Sequence, residues 1–336
     1  MNSMQQRLAA AGRNAVALVP PIGRLRSQRN QLALELEQVK ARAIELEDVV
    51  KRVGGAPTGN VRMAFPAGHF YSPIPDLDDL VGRDAALFGP DRRLPGIDLA
   101  PERQLGLLER FAALYSDLPY PETGSADGLR YQFDNPFFSY GDGIAYYSML
   151  RTLTPSRILE VGSGWSSALA LDVDEQFLGG NTRMTFIEPY PDRLDALLQA
   201  GDSTRAEIVA RPLRDADPTL FDQLGPGDIL FIDSTHVSRV GSDVNQLVLE
   251  ILPALGSGVH VHVHDIFFPF EYPKEWVLDG RAWNENYLLH AFFIQNDHVR
   301  INWFNSYLAG HHREAVTGAL PLWGRNPGGS IWFETA

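Results

Sequence analysis

Arg157-Ile158-Leu159-Glu160-Val161-Gly162-Ser163-Gly164-Trp165-Ser166-Ser167 is the stretch whose reading decides the fold. Ile158, Leu159 and Val161 make the short apolar run of a strand buried on both faces, and Gly162 and Gly164 end it where the backbone must turn sharply. Ser166 and Ser167 open a helical stretch rich in Ala and Leu, Ala168 to Phe177, whose first free amides point back towards the glycines. A strand meets a helix across a bare turn, and such a turn holds a polar ligand against backbone N–H groups.

Two nucleotide-type readings compete for that turn. The dinucleotide fingerprint Gly-x-Gly-x-x-Gly uses its third glycine to pack helix on strand, and here Ser167 stands in that place. Glu160 lies two residues before the first glycine, and Glu-x-Gly-x-Gly after a strand resembles motif I of the class I S-adenosylmethionine (SAM) methyltransferases. The resemblance implies that Glu160 and the turn Gly162, Ser163 and Gly164 lie against the methionine half of SAM.

A second acid supports an adenosine ligand. Thr185 to Ile187 form another short strand, which Glu188 closes before Pro189 and Pro191 break the chain. A carboxylate at a strand's carboxyl end can accept from both vicinal ribose hydroxyls. NAD enzymes use the same device, so Glu188 speaks for adenosine more than for SAM. The plain alternative is an acid opening an exposed turn.

The 336 residues suggest one large domain with an extension, or two small ones. Lys plus Arg number 29 against 42 Asp plus Glu, and the net charge of -13 should repel a nucleic-acid backbone. No apolar run reaches the length that spans a bilayer, and Ala15 to Val19 is too short for a secretion signal. The absence of cysteine rules out disulfides and thiolate metal sites and fits a reducing compartment, so the expected location is cytoplasmic.

Leu25, Arg29, Leu32, Leu36, Val39, Ala43, Leu46 and Val50 alternate steps of four and three, the core spacing of a coiled coil, with charged and amide side chains between them. Self-association into a homo-oligomer through this helix is expected, with Arg29 setting register or oligomer state; a lone amphipathic helix is the alternative. Gly54, Gly55, Pro57 and Gly59 then form a linker, so residues 1–59 are read as helix and linker. Residues 60–132, rich in Pro, Gly and aromatics with one helix from about Glu102 to Tyr115, read as a cover. It is either a packed surface arm or a lid lending His69 or Tyr71 to an acceptor. Residues 133–336 are read as the SAM-binding domain.

Within that domain, Phe133 to Gly143 precede a helix from Ile144 to Leu153. In class I methyltransferases the element before motif I often closes over the methionine end of SAM, so the resemblance implies contacts from Tyr140 and Asp142. Asp142 is equally well placed to cap the helix. A helix from Arg193 to Ala200, a strand from Glu207 to Ala210, and Asp215 and Asp217 in a loop come next, the loop being where related enzymes place adenine contacts. The strand Asp228 to Asp233 and the strand Val259 to Asp265 both end in an acid, with a helix from Asp243 to Leu255 between them. A helix from Glu285 to Gln295 and strands Val299 to Trp303 and Ser330 to Glu334 complete the chain. Alternating strands and helices make a parallel sheet covered on both faces, with ligands beyond the strands' carboxyl ends. With the seven strands that the resemblance implies, the expected fold is α/β: a doubly wound, seven-stranded, mostly parallel Rossmann-like sheet with an N-terminal coiled-coil helix.

Asp233 and Asp265 end neighbouring strands and should meet. Two carboxylates with an imidazole nearby can hold Mg2+ or Mn2+. The divalent-metal O-methyltransferases, including those acting on macrolide sugars, look similar here, with one acid after the fourth strand and an acidic pair after the fifth. This chain has His264-Asp265 in place of the pair. The resemblance implies Asp233, His264 and Asp265 as metal ligands, with Asp233 also beside the cofactor and His236 or His264 as general base. His260, His262 and His264 share one strand face, but only His264 is near the open end, and the other two read as structural. The favoured function is a SAM-dependent O-methyltransferase, metal-assisted, acting on a small hydroxylated acceptor such as a sugar or sugar-bearing metabolite. The alternatives are an NAD-linked oxidoreductase and a non-catalytic SAM-fold scaffold subunit.

Overall fold

The computed structural model describes residues 64–336, so the heptads from Leu25 to Val50, and any oligomer built on them, lie outside the described residues. Phe65–Ala336 forms one compact unit. At its centre is a seven-stranded sheet in the order β3-β2-β1-β4-β5-β7-β6, made of β1 (Arg157–Val161), β2 (Arg183–Ile187), β3 (Ala206–Val209), β4 (Ile229–Ile232), β5 (His260–His264), β6 (Val299–Phe304) and β7 (Ser330–Thr335). β1 to β5 pair in parallel, while β7 runs antiparallel between β5 and β6. Every residue of β4 is buried, as are all but the first of β1 and β2, because helices cover both faces.

Five helices matter to the site: α1 (Pro101–Tyr115), α2 (Tyr140–Leu153), α3 (Trp165–Val173), α4 (Glu285–Phe293) and α5 (Asn305–His311). α1 is more than a cover, since Leu108 and Phe111 enter the core and the Phe111 ring lies 4.8 Å from that of Trp303. Gln104, wholly buried, donates to the Leu99 carbonyl (2.6 Å) and accepts from the Phe304 N–H (2.9 Å), which ties the segment before α1 to the end of β6. His69 stacks on Phe65 and Phe70 in a surface cluster that Tyr71, 65% exposed, joins edge-on and tilted. No helix among the described residues is long and apolar enough to cross a membrane.

Several boundaries differ from expectation for identifiable reasons. α2 begins at Tyr140 after Ser139, so Asp142 sits inside the first turn and does not cap it. α3 starts at Trp165 and runs on through a π-helical turn, Asp174–Leu178. The helix expected from Arg193 to Ala200 shrinks to the single turn Asp192–Asp195, whose one fully buried side chain, Leu194, anchors it. The segment from Asp243 is broken by a π-helical stretch, Leu247–Ile251.

Candidate active site

Strand register sets the site. Val161 pairs level with Ile187 on one side and Ile232 on the other, and Ile232 with Val263. Gly162, Glu188, Asp233 and His264 therefore emerge side by side at the carboxyl edge. Gly162 has φ +83°, and a side-chain carbon there would come 2.1 Å from the Asp233 carbonyl oxygen, so only glycine lets the two strand ends close. The Gly162 N–H donates to Ile187 O (3.0 Å) and the Asp233 N–H to Val161 O (2.8 Å).

Glu188 spans the turn: one oxygen accepts from the Ser163 N–H (3.2 Å), the other from the Tyr190 N–H (2.8 Å), and part of its surface stays open. Burial raises its pKa, against those two bonds and the charge of Arg193. Glu160, in contrast, is fully enclosed. It accepts from the hydroxyls of Ser166 and Ser167, and burial, outweighing those bonds, pushes its carboxyl up to about 8. Ser167 also accepts from the Gly164 N–H (3.1 Å), so the residue in the place of a third glycine pins both the turn and the acid.

The other expected cofactor contacts have neighbours within the protein. The Tyr140 hydroxyl donates to Asp134 (2.6 Å) and to the Glu122 carbonyl (2.9 Å). Asp142 is buried and accepts from the Asn305 side chain (2.8 Å) and the Gly329 N–H (3.3 Å), which locks α2 against the start of β7. Asp215 ends the short turn Leu213–Asp215 beyond β3, exposed, with its carboxylate 3.7 Å from Arg214. Asp217 accepts from the Thr219 N–H and hydroxyl, just ahead of the next helical turn.

The acids that end β4 and β5 meet across an imidazole. His236 Nε2 is 3.4 Å from Asp233 and 3.8 Å from Asp265, and His264 Nε2 is 3.6 Å from Asp265. His236 Nδ1 donates to Glu285 (2.9 Å), a buried acid in the first turn of α4 that also accepts from the Ser234 hydroxyl. The His236 ring lies 4.3 Å from that of Trp283. Both His236 (φ +59°) and Asp265 (φ +54°) occupy left-handed backbone, costly for non-glycine residues and common at functional sites. The Asp233 side chain is 41% exposed and that of Asp265 18%, so the first can touch a ligand.

The charges follow from this packing. Burial opposes ionisation of Asp233, but the hydrogen bond from His236 and the nearby imidazoles outweigh it and hold the carboxyl at about 2. Burial opposes the charge on His236 as well; hydrogen bonds to Asp233 and Glu285 prevail and raise it well above the usual histidine value. His264 is raised for a similar reason, against its burial, by Asp265, Asp233 and Asp142. A general base must be neutral before it accepts a proton, and the expected role for His236 and His264 meets that obstacle. Asp265 is raised by burial, with His264 and His236 acting against it.

The expected metal set also lacks its geometry. Among the described residues no group of three or more His, Asp or Glu side chains is placed to hold a metal ion. His236 Nε2 approaches both carboxylates that a shared cation would bridge, 3.4 Å from Asp233 and 3.8 Å from Asp265. His262 is enclosed, with its ring 4.0 Å from that of Phe231, and burial drives its pKa well below the usual value, so it is a neutral core residue. Glu285 escapes a reading of the sequence because it belongs to His236 only through the fold; as an acid in a helix's first turn it has an ordinary local explanation.

Residues 159–266 match the family model described as a methyltransferase domain. An uncharacterized protein of Archaeoglobus fulgidus is 37% identical over 164 residues, 48% of this chain and 73% of that one. Among solved structures, the O-methyltransferase TomG from Streptomyces achromogenes, involved in tomaymycin synthesis and in complex with SAM, has a TM-score of 0.41 at 16% identity, covering 68% of this chain and 89% of its own. An O-methyltransferase from Bacillus cereus in complex with SAH has a TM-score of 0.38 at 12% identity, covering 69% and 91%.

Proposed function

We propose that the chain is a SAM-dependent methyltransferase that transfers the methyl group to an oxygen of a small hydroxylated acceptor, such as a sugar or a glycosylated metabolite. The match of residues 159–266 to a methyltransferase-domain model favours this reading over the NAD-linked alternative. The observation that carries the reading is the contact of Gly162 with the main chain of Asp233, which joins the cofactor turn to the Asp233, His236 and Asp265 cluster.

In this reading the backbone of Gly162, Ser163 and Gly164 faces the methionine half of SAM, and Glu188 accepts from the ribose hydroxyls. The acceptor oxygen approaches the methyl carbon in line with the sulfur; the C–O bond forms as the C–S bond breaks, sulfur keeps the electron pair, and the hydroxyl proton leaves. Asp233, ionised and open to solvent, accepts the hydrogen bond that aims the hydroxyl. Asp265 takes the proton, its raised pKa suiting it better to that task than Asp233. His236, oriented by Glu285, supplies a positive charge beside the oxygen as it becomes more anionic. The Mg2+ or Mn2+ expected from the resemblance does not fit this donor set, because His236 Nε2 already approaches both carboxylates and no three His, Asp or Glu side chains among the described residues are grouped to hold an ion.

Transfer of label from methyl-tritiated SAM to a panel of sugars and glycosides, before and after EDTA treatment, tests the reading. Ether-linked label that survives chelation is expected. Label on nitrogen or carbon would overturn the oxygen acceptor, and loss on chelation with recovery in Mg2+ would overturn the metal-free cluster.

A further inference from the structure

We propose that a cavity between the segment 90–99 and α5 takes a flat, apolar ring at the far end of the acceptor, which makes the acceptor a glycoside with a ring-bearing aglycone. The proposal rests on the reading of the acceptor as a glycosylated metabolite and adds a second site of contact to it. The cavity has a volume of about 660 Å³, the size of a small-molecule site, and neither the glycine turn nor the Asp233 cluster lines it. Three of its lining rings form a corner. Tyr307 and His311 stand four residues apart on α5 and so share a face, and Phe268 meets both edge-on, with ring centres 5.3 Å and 5.2 Å away. The Phe268 N–H donates to the Ser306 hydroxyl (2.7 Å), and His311 Nε2 donates to the Pro90 carbonyl (3.1 Å), so the walls are tied to one another.

The lining selects a neutral ring. Leu94 and Ile97 add aliphatic surface to the three rings, and such walls favour a flat partner that packs face to edge. Arg92, at the rim, is already paired with Glu271 (3.0 Å). Tyr307 supplies the polar contact: it is 9% exposed, and its hydroxyl has His312 Nε2 at 3.5 Å, the outer limit of a hydrogen bond. Position ties the cavity to the reaction. Phe268 lies three residues beyond Asp265, and three residues of even fully extended chain span at most about 11 Å. A sugar whose hydroxyl meets Asp233 and Asp265 can therefore carry its aglycone to this wall, and binding energy gained there holds the reacting oxygen in place.

Fluorescence titration of the full-length protein with umbelliferone, a flat aglycone without a sugar, tests the cavity apart from catalysis. The wild type should bind it. Leu94→Glu places a charge on the apolar wall and should weaken that binding at least about tenfold, with S-adenosylhomocysteine affinity within about threefold of wild type as the control for folding. Tyr307→Phe removes only a hydroxyl and should weaken it about two- to tenfold. In methyl transfer from labelled SAM, the wild-type KM for an umbelliferyl glycoside should lie at least about tenfold below that for the methyl glycoside of the same sugar, and Leu94→Glu should close the gap. No binding by the wild type, undiminished binding in either variant that keeps its S-adenosylhomocysteine affinity, or equal KM values for the two glycosides overturns the aglycone site. Binding that the variants lose, with no transfer to any glycoside, upholds the cavity as a ring site and overturns the sugar reading of the acceptor.

Discussion

Glu160 and Asp233 stand on adjacent strands of one sheet, near the same edge, and their carboxylates do opposite work. Glu160 is turned inward, claimed by Ser166 and Ser167 of the next helix and pushed towards neutrality. Asp233 is turned outward, 41% exposed, and kept ionised by His236. The difference lies beyond each strand's carboxyl end: two hydroxyls within reach of the first acid, an imidazole backed by a distant glutamate for the second. An acid at a strand's end is therefore a position, and its neighbours in space decide its use.

The most severe way to break the contrast is to force the two strand ends apart. Gly162→Ala places a carbon against the Asp233 carbonyl and demands a left-handed alanine, which together should cost about 2–4 kcal/mol and abolish SAM binding. Gly164→Ala meets only the flexible Arg193 stem and should cost much less. Urea unfolding of the two variants measures this, and equal losses would mean that the Gly162 contact is not what closes the site.

A smaller effect sharpens the contrast through pH. Glu160 has a folded pKa raised to about 8 from 4.5, so the native state holds the extra proton between those values. Its contribution to stability is fully present below about pH 4.5 and is lost as pH rises towards 8, by at most about 1.4 kcal/mol per unit. Asp233, held at about 2 from 3.8, has the opposite sign, and its contribution is lost as pH falls through 2. Glu160→Gln should remove the first slope, so its stability relative to wild type is greatest above pH 8. Parallel unfolding curves for the two proteins from pH 5 to 9 would mean that Glu160 is already charged in the native state.

Much of the frame was legible because it depends on local pattern. The apolar runs from Ile158 to Val161 and from Ile229 to Ile232, each ending at a turn or an acid, name their strands, and the alternation with helices orders the sheet. The convergence of Asp233 and Asp265 came from that order. What escaped depends on side chains meeting across the fold. Glu285 joins His236 from a helix far along the chain, Asp142 accepts from Asn305, and Arg193 reaches Phe137 across the glycine turn. No spacing in the chain encodes these contacts. Glu160 is the instructive case, since its position fits the motif and its side chain serves the two serines at the start of α3.

The central claim is that the turn after β1 holds SAM while the cluster after β4 and β5 handles the acceptor. Asp233→Asn, assayed in one preparation for S-adenosylhomocysteine affinity by calorimetry and for methyl transfer from labelled SAM, tests it most directly. The predicted result is an affinity within about threefold of wild type with transfer reduced at least about a hundredfold, as for loss of a group that acts on the reacting hydroxyl. Undiminished transfer, or affinity and transfer lost together, would contradict that division of labour.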